Sequence, residues 1–140
     1  MTSTNIIKDM FLSLIDDPDL AKISIEDAEH LLMNWIRLSI MEFHNCQKDL
    51  SLVQEDGEYF IKSDLDNDEI GILSYATLLA WAEPKIRCWD TVKQHTGTSD
   101  FSKLSNANTL LRLNELQEKT EKKLRTLKAR YRSKDMKGLG

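Results

Sequence analysis

The sequence predicts a mainly α-helical protein, a small bundle of about four to five helices with a long basic C-terminal helix and a short β-hairpin at about residues 50–62. Three observations carry this. Apolar residues recur at three- and four-residue steps along most of the 140-residue chain, the spacing that lines one face of a helix. Only two prolines and five glycines interrupt that pattern. Charge is also segregated: Lys119 to Gly140 holds nine Lys/Arg against Glu121 and Asp135, a net of +7, whereas the preceding residues hold ten against twenty-one, a net of −11.

Ile6, Ile7, Met10, Phe11, Leu14 and Ile15 predict a helix over 3–16, ended before Asp17-Pro18 because a residue preceding proline avoids the helical region. Ser24 and Asp27 resemble a capping box. The longer helix they open is expected to centre the core through Ala28, Leu31, Leu32, Trp35, Leu38, Phe43 and Cys46. Asp56-Gly57 then separates Leu50-Ser51-Leu52-Val53 from Tyr59-Phe60-Ile61, a hairpin signal between two β-forming runs. Asp66-Asn67-Asp68-Glu69 puts acids at the positive end of a third helix, which continues through Ile70, Leu73, Ala76, Leu79 and Trp81. Glu83-Pro84 is expected to interrupt it and start a fourth, bearing Ile86, Trp89 and Val92 and stopping at Gly97.

A polar connector over 100–108 leads to a single helix from about Ser105 to about Arg132. Leu110, Leu113, Leu116, Thr120, Leu124, Leu127 and Tyr131 form a narrow stripe on it, with Lys/Arg at nearly all other positions after residue 118. A stripe that narrow is expected to leave the basic half projecting. The chain therefore divides into a helical bundle domain, 1–118, and a basic docking extension, 119–140, whose last residues from Lys134 are expected to order only on a partner.

The residues exclude much chemistry. No apolar run is long enough to span a bilayer and the N-terminus lacks signal-peptide features, so a soluble protein made in a cytoplasm is expected. Cys46 and Cys88 read as buried free thiols. Asp64-Leu65-Asp66-Asn67-Asp68 starts like a calcium loop, but Glu69 stands where the turn needs glycine and Tyr75 where it needs glutamate, which favours a helix cap. His30, His44 and His95 lie in no zinc spacing, and no phosphate loop or nucleophile motif occurs. No catalytic residue, metal or cofactor is expected, and Trp35, Trp81 and Trp89 read as core. The candidate partner-binding residues are Lys119, Lys122, Lys123, Arg125, Lys128, Arg130, Tyr131, Arg132, Lys134 and Lys137. Glu55, Asp56, Gly57 and Glu58 form a second candidate surface.

Several short motifs then line up in order. They are Phe11-Leu12-Ser13 before Asp16-Asp17-Pro18, Phe43-x-x-Cys46-x-x-Asp49-Leu50-Ser51, and Glu69-Ile70-x-Ile72-Leu73 leading to Trp81 and Pro84. Ser99-Asp100-Phe101, Ser105-Asn106-Ala107-Asn108-x-Leu110 and the basic helix to Tyr131 follow. With these the chain resembles the head-tail adaptor (connector) proteins of the neck of tailed bacteriophages, over roughly residues 10 to 132. The Asp56-Gly57 hairpin departs from the plainer polar loop expected there. The resemblance implies a structural virion protein at the head-tail interface, assembled as a ring, expected to be dodecameric, that docks on the portal and extends the DNA channel.

Its implied partners are the portal protein, copies of itself, a downstream neck or tail-completion protein, and passing DNA without specific binding; no membrane is involved. The basic helix would dock on the portal or a ring neighbour, the acidic body would suit a channel wall, and the Glu55–Glu58 tip would face the lumen or a neighbour. The alternative is a small nucleic-acid-binding regulator or packaging accessory that turns the same helix on phosphates. A homotypic coiled coil is weakened by Thr120 and the dense lysines in its seam.

Overall fold

The computed structural model describes residues 1–15, 17, 20–96 and 106–138, with side chains for 1–15, 17, 20–88 and 110–134. The elements are β1 (Thr2–Ser3), α1 (Thr4–Ser13), a 3-10 turn (Leu20–Lys22), α2 (Ile25–Glu42), β2 (Leu52–Glu55), β3 (Glu58–Ile61), α3 (Asn67–Thr96) and α4 (Asn106–Gly138). The strands form one antiparallel sheet in the order β1-β3-β2, with Ile61 paired to both Thr2 and Leu52. The expected hairpin is therefore present. Asp56 at φ 51° and Gly57 at φ 79° make its turn, the left-handed pair that matches strand twist and that Asp-Gly adopts readily.

Helix α3 is the axis, with α1, α2 and α4 packed against it. Two apolar clusters divide its length. Around its first turns lie Ile7, Met33, Ile36, Phe43, Ile61, Leu124, Leu127 and Tyr131; farther along, Phe11, Leu32, Trp81, Ile86, Leu110 and Leu113 close the second. Because the start of α4 meets the later part of α3 and the end of α4 meets its beginning, the two helices run antiparallel.

This packing corrects the expectation that the basic half of the last helix projects. Thr120, Leu124, Leu127 and Tyr131 are all buried, and the boundary drawn after Glu118 falls inside α4. The stripe is narrow, but α3 offers it apolar side chains from Ile72 to Ile86, so one row of side chains meets apolar surface at both ends. The helix also continues to Gly138, past the end expected near Arg132.

Other differences have local causes. Helix α1 ends at Ser13 and starts with Ser3 as N-cap, its Oγ accepting from the Asn5 amide. The residue ahead of it is drawn into strand β1 by side-chain hydrogen bonds, Thr2 Oγ1 donating to the Ser63 carbonyl at 2.8 Å and accepting from the Leu65 amide at 2.9 Å. The buried face of α2 is Leu32, Met33, Ile36 and Ser39; Leu31 and Leu38, expected inside, are exposed. Pro84 lies inside a continuous α3. A proline there loses one hydrogen bond and crowds the preceding turn, an effect opposed by burial of Trp81, Ala82 and Ile86 on either side of it.

Cys46 is half-buried, whereas Cys88 is exposed, against expectation. Trp81 is core as expected, its Nε1 donating to Asp17 at 2.9 Å, and Trp35 packs at the edge of the second cluster. The expectations for the side chains of Trp89, Val92 and His95, the stop at Gly97 and the connector before Asn106 lie outside the described residues.

Candidate interaction surface

The surface depends on a clamp that holds the end of α4. Asp66 caps α3 reciprocally: its Oδ1 accepts from the Glu69 amide at 2.8 Å, and Glu69 Oε1 accepts from the Asp66 amide at 2.9 Å. Glu69 is 1% exposed, so its charge needs further partners. Lys48 Nζ donates to Oε1 at 2.7 Å and the Tyr131 hydroxyl donates to Oε2 at 2.9 Å. The same hydroxyl accepts from the Gln47 amide at 3.1 Å. Burial pushes the Glu69 carboxyl up, but the hydrogen bonds from Lys48, Asp66 and Tyr131 outweigh it and hold the group below its ordinary value. Burial and the neighbouring carboxylate raise the Tyr131 hydroxyl far above its own, so it remains a donor. The cap at Asp66–Glu69 was visible in the sequence; its reciprocal hydrogen bonds and the convergence of Lys48 and Tyr131 on it, from distant segments, were not.

Tyr131 is thus a core residue at 7% exposure, which corrects its place among the surface-binding candidates. The remaining described candidates on α4 divide in two. Lys128 and Lys134 have internal partners: Lys128 pairs with Glu42 at 3.6 Å and donates to its carbonyl, and Lys134 pairs with Asp68. The hydrogen bond between Lys134 and Asp68 raises the lysine and lowers the carboxyl. Lys119, Lys122, Lys123, Arg125, Arg130 and Arg132 are exposed. Among the described residues none of these six has a carboxylate at ion-pair distance. The Lys137 side chain lies outside the described residues.

The acids read as the start of a calcium loop have internal partners. Asp64 accepts from the N-terminal ammonium at 2.7 Å, Asp66 is the cap and Asp68 holds Lys134. The hairpin tip is only partly free, because Glu58 Oε1 accepts from Ser3 Oγ at 2.5 Å and Asn5 Nδ2 at 2.9 Å, while Glu55, Asp56 and Gly57 are exposed.

No family model, curated protein or solved structure matches the chain. Among the described residues no helix is long and apolar enough to cross a membrane. The described surface of α4 carries six exposed cations with no ion-pair partner among the described residues, on a helix packed against a body of opposite net charge.

Proposed function

We propose that this protein is a structural subunit of a bacteriophage neck, a head-tail adaptor that docks on the portal as a ring and extends the DNA channel. The observation that carries the reading is the set of six exposed cations on α4, without ion-pair partners among the described residues and fixed by the Glu69–Tyr131 clamp so that a docking face exists before a partner arrives. Preorganised charge of one sign sets orientation and speeds encounter with an acidic partner. The ordered motifs from Phe11 to Tyr131 support the same reading. The protein acts by binding, without catalysis, and its working place is the virion.

Co-sedimentation with portal-bearing, DNA-filled capsids, and separately with bare duplex DNA, tests this. Truncation after Glu118 would remove buried Leu124, Leu127 and Tyr131, so the informative variant is Lys122→Glu/Arg125→Glu/Arg132→Glu, which touches exposed residues only. Binding to capsids that the variant loses is the expected result. Salt-sensitive binding to DNA and none to capsids would instead favour a nucleic-acid-associated protein.

A further inference from the structure

The sheet order β1-β3-β2 leaves β1 and β2 as its edges. Strand β1 is two residues long and runs straight into α1, so only β2, Leu52–Glu55, has the length to take another strand. It packs against β3, and among the described residues no main-chain group is bonded to its outer side. The Lys62 amide donates to the Ser51 carbonyl at 2.9 Å, which sets the phase of the ladder. Ser51, Val53 and Glu55 turn their main-chain groups to β3, and Leu52 and Gln54 turn theirs outward. A free edge of this kind is a template for pairing, often blunted by lysine, proline or a bulge. Leu52–Glu55 pairs one to one with β3 and contains neither lysine nor proline.

The sheet is also apolar on its outer face beside that edge. Leu52, Tyr59 and Ile61 turn into the first cluster. Side chains alternate along a strand, so Val53 and Phe60, paired with each other, face the other way. Both are half-buried, and neither belongs to a core cluster.

We propose that β2 pairs antiparallel with β2 of a second copy about a twofold axis at Val53, joining the two sheets into one that runs β1-β3-β2-β2-β3-β1. The register follows from which groups are free. Leu52 of each copy stands opposite Gln54 of the other, and each such pair exchanges N–H···O=C bonds in both directions. An axis at Leu52 or Gln54 would leave part of these groups facing residues outside the strand, so the axis at Val53 is the one that satisfies them all. Val53 then meets Val53, and the outer face gains a continuous row Phe60-Val53-Val53-Phe60.

Like charges are kept apart in this register. Glu55 stands opposite Ser51 of the second copy, beside that copy's Lys62–Asp49 pair, and the two Glu55 residues are about 14 Å apart. A twofold contact uses the same patch on both copies and does not propagate. It is therefore separate from any contact that closes a ring, and it uses none of the six exposed cations of α4.

Sedimentation velocity of the full-length protein over a range of concentrations reads the dimer. Gln54→Pro removes an outward N–H and sets its ring where the second strand would lie, while the bonds to β3, made by Val53 and Glu55, stay; thermal melts followed by circular dichroism establish that it folds. Val53→Cys and Glu55→Cys, each combined with Cys88→Ser, test the register under mild oxidation, with the linked peptides mapped by mass spectrometry. Opposed residues of a non-hydrogen-bonded pair have Cα atoms about 4.5 Å apart, within reach of a disulfide, whereas the two positions 55 are beyond it.

The wild type is expected to dimerise, with a dissociation constant raised at least about tenfold in Gln54→Pro. Linkage between the two positions 53 is expected to form at least about tenfold faster than between the two positions 55. A wild type that stays monomeric at the highest concentration reached, a folded Gln54→Pro variant that dimerises like the wild type, or linkage at 55 as fast as at 53 would overturn the proposal. Should Gln54→Pro fail to fold, the two cysteine variants decide it. Dimerisation without capsid binding would strike the adaptor reading and leave this contact standing.

Discussion

The hydroxyl of Tyr131 donates to the carboxylate of Glu69 at 2.9 Å and ties the far end of α4 to the first turn of α3. Both groups are buried, so the bond is made where water cannot replace it. Tyr131→Phe keeps the ring, which packs edge-on to Phe43 at 5.2 Å between centroids, but removes a donor from the carboxylate and an acceptor from the Gln47 amide. A hydrogen bond to a charged group contributes about 1.5–3 kcal/mol. Urea unfolding should show a loss of about 2 kcal/mol with an unchanged slope; a loss below a few tenths would mean that the clamp does not hold α4.

The same carboxylate sets an acid limit on stability. The folded Glu69 titrates below its ordinary value of 4.5, so its contribution is fully present above that pH and is lost as pH falls through the folded value. Asp49, Asp64 and Asp68 are lowered by hydrogen bonds from Ser51, the N-terminal ammonium and Lys134 respectively, which adds in the same direction but weakly because these groups face water. The melting temperature should be steady near neutrality and drop below about pH 4.5. Glu69→Gln, less stable at pH 7, should show a shallower acid decline; an equally steep one would assign the effect to other groups.

Leu124 tests whether the basic half of α4 belongs to the core. It is buried in the cluster with Ile7, Ile36 and Ile72, and Leu124→Ala should cost about 2–5 kcal/mol. Lys122→Ala, two positions away on the exposed surface, should stay within about 0.5 kcal/mol. Similar melting temperatures for the two variants would contradict the packing.

Gly57 has open space around the position a Cβ would occupy, so any penalty at this site comes from its φ of 79° alone. Gly57→Ala should destabilise by about 1 kcal/mol. Asp56→Asn, which tolerates the same left-handed region, should be close to neutral.

The two thiols should react at different rates. Cys88 is exposed and Cys46 is half-buried, and burial raises the Cys46 thiol, which leaves little thiolate near neutral pH. A chromogenic disulfide reagent should modify one thiol per native chain quickly and the second only slowly or on unfolding. Two fast equivalents would show that the Gln47–Tyr131 region opens readily.

Local signals in the sequence led to much of the fold. Helical spacing, the caps at Ser24 and Asp66 and the Asp56-Gly57 turn depend on residues a few positions apart, and each appears where its chemistry calls for it. The misses depend on distant partners. Which face of α2 turns inward is set by α3, so Leu38, as apolar as Leu32, lies outside. Pro84 would break an isolated helix but is carried inside one whose flanking residues are buried. Strand β1 is two residues long, too short for any periodicity, and exists through Thr2 and its bonds to Ser63 and Leu65. For the candidate surface, the cations were legible as charges, but only the packing separated Tyr131, Lys128 and Lys134, which hold the helix, from the six that face outward.

The first cluster joins Ile7 to Leu124, Leu127 and Tyr131, 117 to 124 positions farther along the chain. Contacts so distant in sequence form only once a long loop has closed, and the entropy of that closure is lost before any apolar surface is gained. The exposed cations of α4 sit on the helix that closes this loop. Their spacing in three dimensions is therefore set by the longest-range contacts of the fold, and a chain whose cluster has opened still carries the charges but no longer their pattern.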